Sequence, residues 1–406
     1  MKRRCVALSY TVVTVVTALT AVTTCSSIPA IARGSSDGIS RMASSAALAP
    51  GVGHESLRIS FGDFTSKAEL DYPLGGGKHP TVLLIPGSTP EDLNADIVGS
   101  VSGPPLSHIF LDIARYLAPR GVAVLRYNKH YVTSLHQVDY QRYYTQLDLQ
   151  GMRKDAEAVL AAAERNPHVD ARHIFVYGWS EGSTVAAALV ARHPEVAGLV
   201  VQGAVARSWR ATFTHQVLDV VVPYLRRFAP DGRVTNAVLR KAATGNGGLV
   251  ARGDAISFFA QPSQIPGSLS VNPMLDQNND GSVDINREFL PALPRIMDYL
   301  LGPLGPLGIY GPGRALPSLI DAAPRLKLPV LILQGRNDAN VPFQGAVELR
   351  AALVAAGNRD AILKLYPGLG HTLGPARDAI DDNFRPIAAR PLADLLSWLA
   401  RHDGTS

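Results

Sequence analysis

Ser180 is the residue of this sequence whose surroundings point most clearly to covalent chemistry, because residues 178–182 read Gly-Trp-Ser-Glu-Gly, a G-x-S-x-G pattern. The glycines remove Cβ clashes, so the chain can turn sharply from a strand into a helix and present the serine at the turn. A serine hydroxyl is an effective nucleophile when a base within hydrogen-bond reach takes its proton. The pattern is short, and the alternative interpretation is an ordinary strand–helix turn.

The acid and the base that such a serine needs are predicted at Asp338 and His371. In hydrolases with a serine at a strand–helix turn, the acid follows the serine in the chain and the base follows the acid. Asp338 lies in a turn-rich loop after the strand-like residues 330–333, and the histidines beyond it are His371 and His402. His402 follows the last predicted helix, whereas His371 directly follows a predicted strand and is the better base. Taken singly, Asp338 also suits a turn and His371 a surface loop.

Two backbone N–H groups are predicted to stabilise the oxyanion that forms when a serine attacks a carbonyl. One donor is the residue after the nucleophile, Glu181, and the other comes from a loop after an early strand. Residues 85–88, Ile-Pro-Gly-Ser, suit that loop and make Ser88 the second donor, while Gly87 allows close approach of the backbone to a substrate. The alternative for this loop is a simple turn.

Strand-like and helix-like segments alternate around these residues. Residues 81–85 form a continuous apolar run, typical of a strand that is buried on both faces. Strands and helices then alternate up to residue 205, and the same rhythm returns from residue 327. This alternation predicts an α/β protein with a mostly parallel, doubly wound sheet, whose two halves are residues 54–205 and 327–406.

Residues 206–326 interrupt the alternation. A cluster of glycines at residues 245–248 and a Pro/Gly-rich stretch at residues 303–317 break any periodic pattern. We interpret the segment as a cap or lid inserted over the active site, because long irregular segments in compact domains are usually functional or disordered. The alternative is a surface excursion without a role in binding.

Taken together, these motifs resemble those of the α/β-hydrolase superfamily, in particular its dienelactone-hydrolase-like and prolyl-oligopeptidase-like esterases and peptidases. The resemblance rests on five segments, namely residues 84–88, 125–127, 178–182, 334–342 and 366–371. It implies the α/β-hydrolase fold and a Ser-His-Asp triad. Where relatives often read Arg-Tyr-Asp-Lys-Arg-Gly, this chain reads Arg126-Tyr127-Asn128-Lys129-His130.

A second motif lies in the predicted cap. Five residues match positions one, three, five, six and nine of a calcium loop: Asp276, Asn278, Asp280, Gly281 and Asp284. The acid expected at position twelve is replaced by Arg287, with Glu288 one residue later. The alternative is a surface turn rich in Asn, Asp and Gly. We expect any calcium here to be structural, and we expect catalysis to need no cofactor.

The first residues have the features of an export signal. Three cations, Lys2, Arg3 and Arg4, precede an apolar run without charges at residues 6–22. We predict a signal peptide at residues 1–32 and a flexible Ser/Ala/Gly-rich linker at residues 33–53, and therefore a secreted or cell-envelope protein. The alternatives are a transmembrane anchor, or cleavage before Cys25, which would then carry a lipid and attach the protein to a membrane.

Composition narrows the function further. A chain of 406 residues with 46% hydrophobic and 18% charged residues can bury a substantial core. Both cysteines, Cys5 and Cys25, fall in the predicted signal, which excludes a cysteine hydrolase. The net charge of +5 falls to +2 without residues 1–32, so no nucleic-acid partner is indicated.

The sequence therefore predicts an exported serine hydrolase that cleaves a small-molecule carboxylic ester or another acyl substrate. A serine peptidase and an acyltransferase are alternatives on the same fold. A binding protein without catalytic activity is a third alternative, which the presence of nucleophile, acid, base and oxyanion loop disfavours.

Overall fold

The computed structural model describes residues 50–99, 104–262 and 269–404. The predicted signal peptide, Cys25 and most of the predicted linker lie outside these residues. The first strand begins at Val52, just inside the predicted linker. Within the described ranges, no helix has both the length and the apolar character needed to cross a bilayer.

Eight strands form the central sheet. In chain order they are β1 (Val52–Ser60), β2 (Thr65–Pro73), β3 (His79–Ile85), β4 (Ala123–Tyr127), β5 (Val169–Trp179), β6 (Gly198–Gln202), β7 (Val330–Gly335) and β8 (Ala361–Tyr366). They lie in the order β1-β2-β4-β3-β5-β6-β7-β8. The pairs β1–β2 and β2–β4 are antiparallel, and every other pair of neighbours is parallel. The predicted mostly parallel sheet is confirmed.

Twelve α-helices accompany the sheet in the described part of the chain. They are α1 (Ile109–Leu117), α2 (Tyr140–Gln146), α3 (Leu149–Arg165), α4 (Glu181–Val190), α5 (Trp209–His215), α6 (Val222–Arg226), α7 (Asn236–Thr244), α8 (Leu249–Phe259), α9 (Leu290–Leu300), α10 (Leu319–Ala322), α11 (Phe343–Ala355) and α12 (Ala389–Leu399). Helix α1 packs with α12, while α3 packs with α4, and α10 contacts both α4 and α11. Strands β4, β6 and β7 are buried along their whole length, as expected for strands covered on both faces.

The segment between β6 and β7 contains helices α5 to α10. It also contains two short antiparallel strand pairs, Arg233–Thr235 with Ser282–Asp284 and Ala260–Pro262 with Leu269–Val271. Two π-helical stretches, Gln216–Val221 and Ile285–Phe289, interrupt its regular helices. The segment is therefore mainly helical, although its proline and glycine content hides that periodicity in the sequence.

The predicted triad residues and Ser88 follow strands of the parallel part of the sheet, whereas the predicted calcium loop lies in the segment between β6 and β7. Ser88 follows β3, Ser180 follows β5, Asp338 follows β7 and His371 follows β8. Because parallel strands end at the same edge of a sheet, this topology brings the four loops to one edge.

Candidate active site

Ser180 occupies a strained turn between β5 and α4. Its φ of 54° and ψ of −122° are rare for a residue with a side chain and cost about 1–3 kcal/mol. A Cβ at Gly178 would lie 2.3 Å from the carbonyl oxygen of Gly182, and a Cβ at Gly182 would lie 2.3 Å from that of Ile85. Both positions of the G-x-S-x-G pattern therefore require glycine. The serine itself is 8% exposed.

Asp338 and His371 form a buried pair. Nδ1 of His371 lies 3.0 Å from Oδ1 and 2.9 Å from Oδ2 of Asp338, and each side chain is 1% exposed. Oδ1 of Asp338 also accepts the backbone N–H groups of Asn340 and Val341, and Oδ2 accepts Nε2 of Gln334. Because these donors fix the carboxylate, it holds the imidazole in one orientation.

This pairing determines the acidity of the imidazole. Burial disfavours the charged ring of His371, but the nearby carboxylates, Asp338 foremost and then Asp382 and Glu91, together raise the pKa of His371 above its ordinary value of 6.5. A base with a raised pKa accepts a proton from a serine more readily, provided that the pH keeps it neutral beforehand.

Hydrogen bonds to Gln202 connect the backbone of Ser180 with that of His371. The N–H of Ser180 donates to the carbonyl of Gln202 at 2.9 Å, and Nε2 of Gln202 donates to the carbonyl of His371 at 3.2 Å. The rings of Trp179 and His371 have centroids 5.5 Å apart. Among the described residues, no hydrogen bond joins the Ser180 hydroxyl to the His371 ring. Catalytic hydrogen bonds of this kind often tighten only when substrate is bound.

Asp382 is a site residue that the sequence did not indicate. Its carboxylate is buried, and Oδ2 accepts the backbone N–H groups of His371 at 2.7 Å and of Ala339 at 3.2 Å. Burial, together with the neighbouring charge of Asp338, raises the pKa of Asp382 to about 6. One carboxyl group thus connects the loop of Asp338 to the loop of His371. In the sequence it stands within Asp-Asp-Asn, which resembles a surface turn.

The two predicted oxyanion donors lie on segments in contact. A Cβ at Gly182 would be 2.3 Å from the carbonyl oxygen of Ile85 and 2.5 Å from that of Pro86, so the first turn of α4 packs on the loop after β3. Within the described residues, the N–H groups of Ser88 and Glu181 donate to no other protein group. Neither N–H group is therefore engaged within the described part of the protein.

The segments that carry these donors also contact three buried ionisable side chains, namely those of Glu91, Lys129 and Glu181. Nζ of Lys129 is 2.9 Å from Oε1 of Glu181, and Oε2 of Glu91 accepts the N–H of Gly87 at 2.7 Å. Burial raises the pKa of Glu91 to about 7, an effect that the charge of Lys129 partly opposes. The sequence indicated no role for Lys129, which stands where relatives often have lysine too, and it did not single out Glu91.

The predicted calcium loop is closed by its own hydrogen bonds. The carboxylate of Asp276 accepts the N–H groups of Asp280 and Gly281, and that of Asp284 accepts two N–H groups at the start of the π-helical turn Ile285–Phe289. The carboxylate of Glu288 accepts three further N–H groups of the loop. In the described ranges, no three or more His, Cys, Asp or Glu side chains are arranged to hold a metal ion.

The side chains of Asn278 and Asp280 take part in the same closed arrangement. Nδ2 of Asn278 donates to Asp280, which also pairs with Arg233 at 2.7 Å. As arranged here, these groups do not fit a calcium ion without rearrangement, and calcium binding by this loop stays a prediction.

Two models of protein families match the chain. The model of serine aminopeptidases of family S33 matches residues 107–255, and that of the prolyl oligopeptidase family matches residues 317–398. Together the matches include Ser180, Asp338 and His371.

Similar individual proteins include esterases. The chain is 33% identical to the esterase EstD of Thermotoga maritima over 115 residues, which are 28% of this chain and 24% of EstD. Among solved structures, a putative dienelactone hydrolase from Klebsiella pneumoniae is 14% identical, with 86% of this chain and 99% of that one covered at a TM-score of 0.44. Est1E from Butyrivibrio proteoclasticus is 15% identical, with 85% and 96% covered at a TM-score of 0.42.

Proposed function

Since the chain belongs to the α/β-hydrolase superfamily of serine hydrolases, we propose that it cleaves carboxylic esters through an acyl-enzyme on Ser180. The observation that carries the proposal is the buried pair of His371 and Asp338 at the sheet edge where Ser180 stands. In this proposal His371 is the base and Asp338 orients it.

The first half of the proposed reaction forms the acyl-enzyme. Nε2 of His371 takes the hydroxyl proton of Ser180 as the oxygen attacks the ester carbonyl carbon. The carboxylate of Asp338 accepts the Nδ1–H of His371 and stabilises the imidazolium that forms. The N–H groups of Ser88 and Glu181 donate to the oxyanion of the tetrahedral intermediate. As the intermediate collapses, His371 gives its proton to the leaving alkoxide.

The second half of the reaction releases the acid. His371 removes a proton from a water molecule that attacks the acyl carbon, and the same two N–H groups stabilise the second oxyanion. Collapse of this intermediate returns the proton to Ser180 and frees the carboxylic acid. No step uses a metal ion or a cofactor.

Contacts made by residues 206–326 support a cap that shapes the site. The hydroxyl of Tyr310 donates to Glu181 at 2.5 Å, beside the nucleophile. Nε2 of Gln216 donates to the carbonyl of Asn340 in the loop of the acid, and the N–H of Leu249 donates to the carbonyl of Asp382. The cap therefore contacts the residue that follows the proposed nucleophile and the loops of the proposed acid and base, as a substrate-shaping lid would.

Peptide hydrolysis is the second candidate, since both matching family models describe peptidases. Transfer of the acyl group to an alcohol is a third, because a cap that excludes water would favour another acceptor. A series of p-nitrophenyl esters, aminoacyl p-nitroanilides and added alcohols separates the three. Ester turnover well above anilide turnover, with the free acid as product, supports the proposal.

The catalytic proposal is tested with a fluorophosphonate probe on the mature protein. We expect labelling and ester turnover in the wild type and neither in Ser180→Ala. Ser397→Ala is a matched control, since that exposed serine on α12 donates only to the carbonyl of Ala393. A folded wild type that the probe does not label refutes the proposal and favours a binding role.

We also propose that the protein is exported, and that Cys25 is its point of membrane attachment if it is lipidated. The support is the cationic start and the apolar run of residues 6–22. Mass spectrometry of the mature N-terminus and a Cys25→Ala variant test this proposal. For a lipoprotein, we expect a lipid on Cys25 of the wild type. In the variant we expect the lipid to be absent and the protein to be released from membranes.

A further inference from the structure

The peptide group between Gly87 and Ser88 is held from its carbonyl side. Nζ of Lys129 donates to the carbonyl oxygen of Gly87. In a planar trans peptide the C=O and N–H point in opposite directions, so the direction of the Gly87 carbonyl fixes that of the Ser88 N–H. That N–H is the proposed second oxyanion donor. Rotation of this peptide would turn the donor away from the substrate.

The neighbouring peptide groups are held as well. The N–H of Gly87 donates to Oε2 of Glu91 at 2.7 Å, and the hydroxyl of Tyr143 donates to the carbonyl of Ser88 at 3.1 Å. Nζ of Lys129 lies 5.4 Å from the centroid of the Tyr143 ring, within the range of a cation–π contact. These bonds fix the peptide groups on either side of the Gly87–Ser88 peptide, and none of them uses the Ser88 N–H.

Lys129 is itself held by the nucleophile turn. Its side chain is 3% exposed and that of Glu181 is 0% exposed, with Nζ 2.9 Å from Oε1. A buried ion pair is costly to desolvate and often adds no net stability, so stability alone does not account for the pair of Lys129 and Glu181. Glu181 thus supplies one proposed oxyanion donor from its backbone and orients the other through Lys129.

The second oxygen of Glu181 binds the cap. Oε2 accepts the hydroxyl of Tyr310 at 2.5 Å, and the Tyr310 ring packs on Trp209 with centroids 4.2 Å apart. Burial and the adjacent carboxylate raise the pKa of Tyr310 well above its ordinary value, so the phenol remains a donor. The chain of contacts therefore runs from the cap through Glu181 and Lys129 to the oxyanion loop.

We propose that Lys129 is a positioning residue of the oxyanion hole, and that Tyr310 of the cap holds it in place through Glu181. The proposal rests on the proposed function of Ser180 and deepens it. It makes the second oxyanion donor dependent on the seating of the cap. Lys129 does not touch the substrate; it acts through the Gly87–Ser88 peptide.

The first test compares Lys129→Met with Lys327→Met. Lys327 is a matched control, because its Nζ also donates to a backbone carbonyl, that of Ala356, at an exposed position. Active enzyme is counted from the burst of p-nitrophenol, so that kcat refers to folded, competent molecules. We expect kcat of Lys129→Met to fall on the order of 10²- to 10³-fold, as for loss of one oxyanion donor, with KM changed less than about threefold. Lys327→Met keeps wild-type values.

A double variant separates positioning from folding. Lys129→Met leaves Glu181 buried without a cation, which alone can unfold the protein. Lys129→Met/Glu181→Gln removes both charges, so we expect its melting temperature to return toward that of the wild type. Its kcat stays low, because the Gly87 carbonyl still lacks its donor. Recovery of kcat together with the melting temperature would show that Lys129 is merely structural.

Tyr310→Phe tests the link to the cap, with the exposed cap residue Tyr299→Phe as control. Loss of one hydrogen bond to a buried carboxylate predicts a fall in kcat of about tenfold in Tyr310→Phe. A wild-type kcat in that variant contradicts the link to the cap.

The remaining outcomes distinguish the two proposals. A wild type that the fluorophosphonate probe does not label at Ser180 refutes the proposed function itself. A labelled wild type whose kcat survives Lys129→Met refutes only the positioning role. Failure of both Lys129 variants to fold also contradicts it, since the charge-neutral pair is expected to be tolerated.

Discussion

Replacement of Asp338 by Asn tests the proposed triad at its orienting residue. Oδ1 of Asp338 accepts two backbone N–H groups, and Oδ2 accepts Nε2 of Gln334 as well as Nδ1–H of His371. An asparagine has one acceptor oxygen and one NH₂ group, so it cannot accept from both sides. When the asparagine oxygen accepts the backbone N–H groups, the asparagine NH₂ faces Nδ1 of His371. It therefore favours the His371 tautomer that carries its proton on Nε2. In that tautomer Nε2 cannot take the serine proton.

This change of tautomer sets the expected magnitude. Loss of the correct tautomer in a serine triad lowers kcat about 10⁴-fold, or about 5.5 kcal/mol in activation free energy. The same substitution removes the carboxylate that raises the pKa of His371, while burial still disfavours the charged ring. The pKa of His371 therefore falls in the variant.

The assay is the pH dependence of ester turnover between about pH 5 and 9, since a histidine near its ordinary pKa titrates in that range. The base acts in its neutral form, so the wild-type rate rises with pH through a pKa above 6.5. The residual rate of Asp338→Asn rises at lower pH. Asp360→Asn is the control, because Asp360 pairs with His402 at 2.7 Å at the surface and away from the proposed site. A kcat within about tenfold of the wild type, or a rise displaced to higher pH, refutes the reasoning.

Three further predictions follow from the same contacts. Gly182→Ala places a Cβ 2.3 Å from the carbonyl oxygen of Ile85, and we expect a loss of about 1–3 kcal/mol in the free energy of unfolding, measured by urea titration. Gly151→Ala is the control, because Gly151 also lies in the first turn of a helix and a Cβ there would have no neighbour closer than 3.4 Å. Asp382→Ala leaves the buried N–H groups of His371 and Ala339 without an acceptor, and we expect each unpaired group to lower the free energy of unfolding by about 1–3 kcal/mol in the same urea titration. An unchanged unfolding midpoint would contradict the role of Asp382 in holding these two loops. We expect chelation by EDTA to leave ester turnover unchanged, because no proposed step uses a metal. A loss of turnover that added calcium restores would contradict this metal-independent mechanism. A rise in melting temperature with calcium that is absent in Asp276→Asn identifies the loop as a binding site.

The sheet was predictable from the sequence because parallel strands covered on both faces are continuous apolar runs. Residues 81–85 and 330–333 lie within β3 and β7 as predicted. The helices of the cap were not predictable in the same way. Pro294 lies inside α9, and two π-helical stretches shift the repeat of apolar positions, so no regular period survives in the sequence.

The candidate residues were predictable to different extents for a similar reason. Ser180, Asp338 and His371 stand beside strand ends in short local patterns. Asp382 and Lys129 were singled out by their contacts with His371 and Glu181, which are distant in the chain, and no local pattern marks such contacts.

Glu181 has a backbone position that the local sequence predicts and side-chain contacts that only the three-dimensional structure shows. Its place directly after Ser180 is enough to predict that its backbone N–H faces the oxyanion, because that follows from the turn itself. What its side chain does depends on Lys129 and on Tyr310 of the cap, which three-dimensional packing brings to it. A variable position within a short motif can therefore connect the chemistry of the motif to an inserted segment. In this chain the connection runs through a buried charge, which makes its removal measurable as a change in kcat.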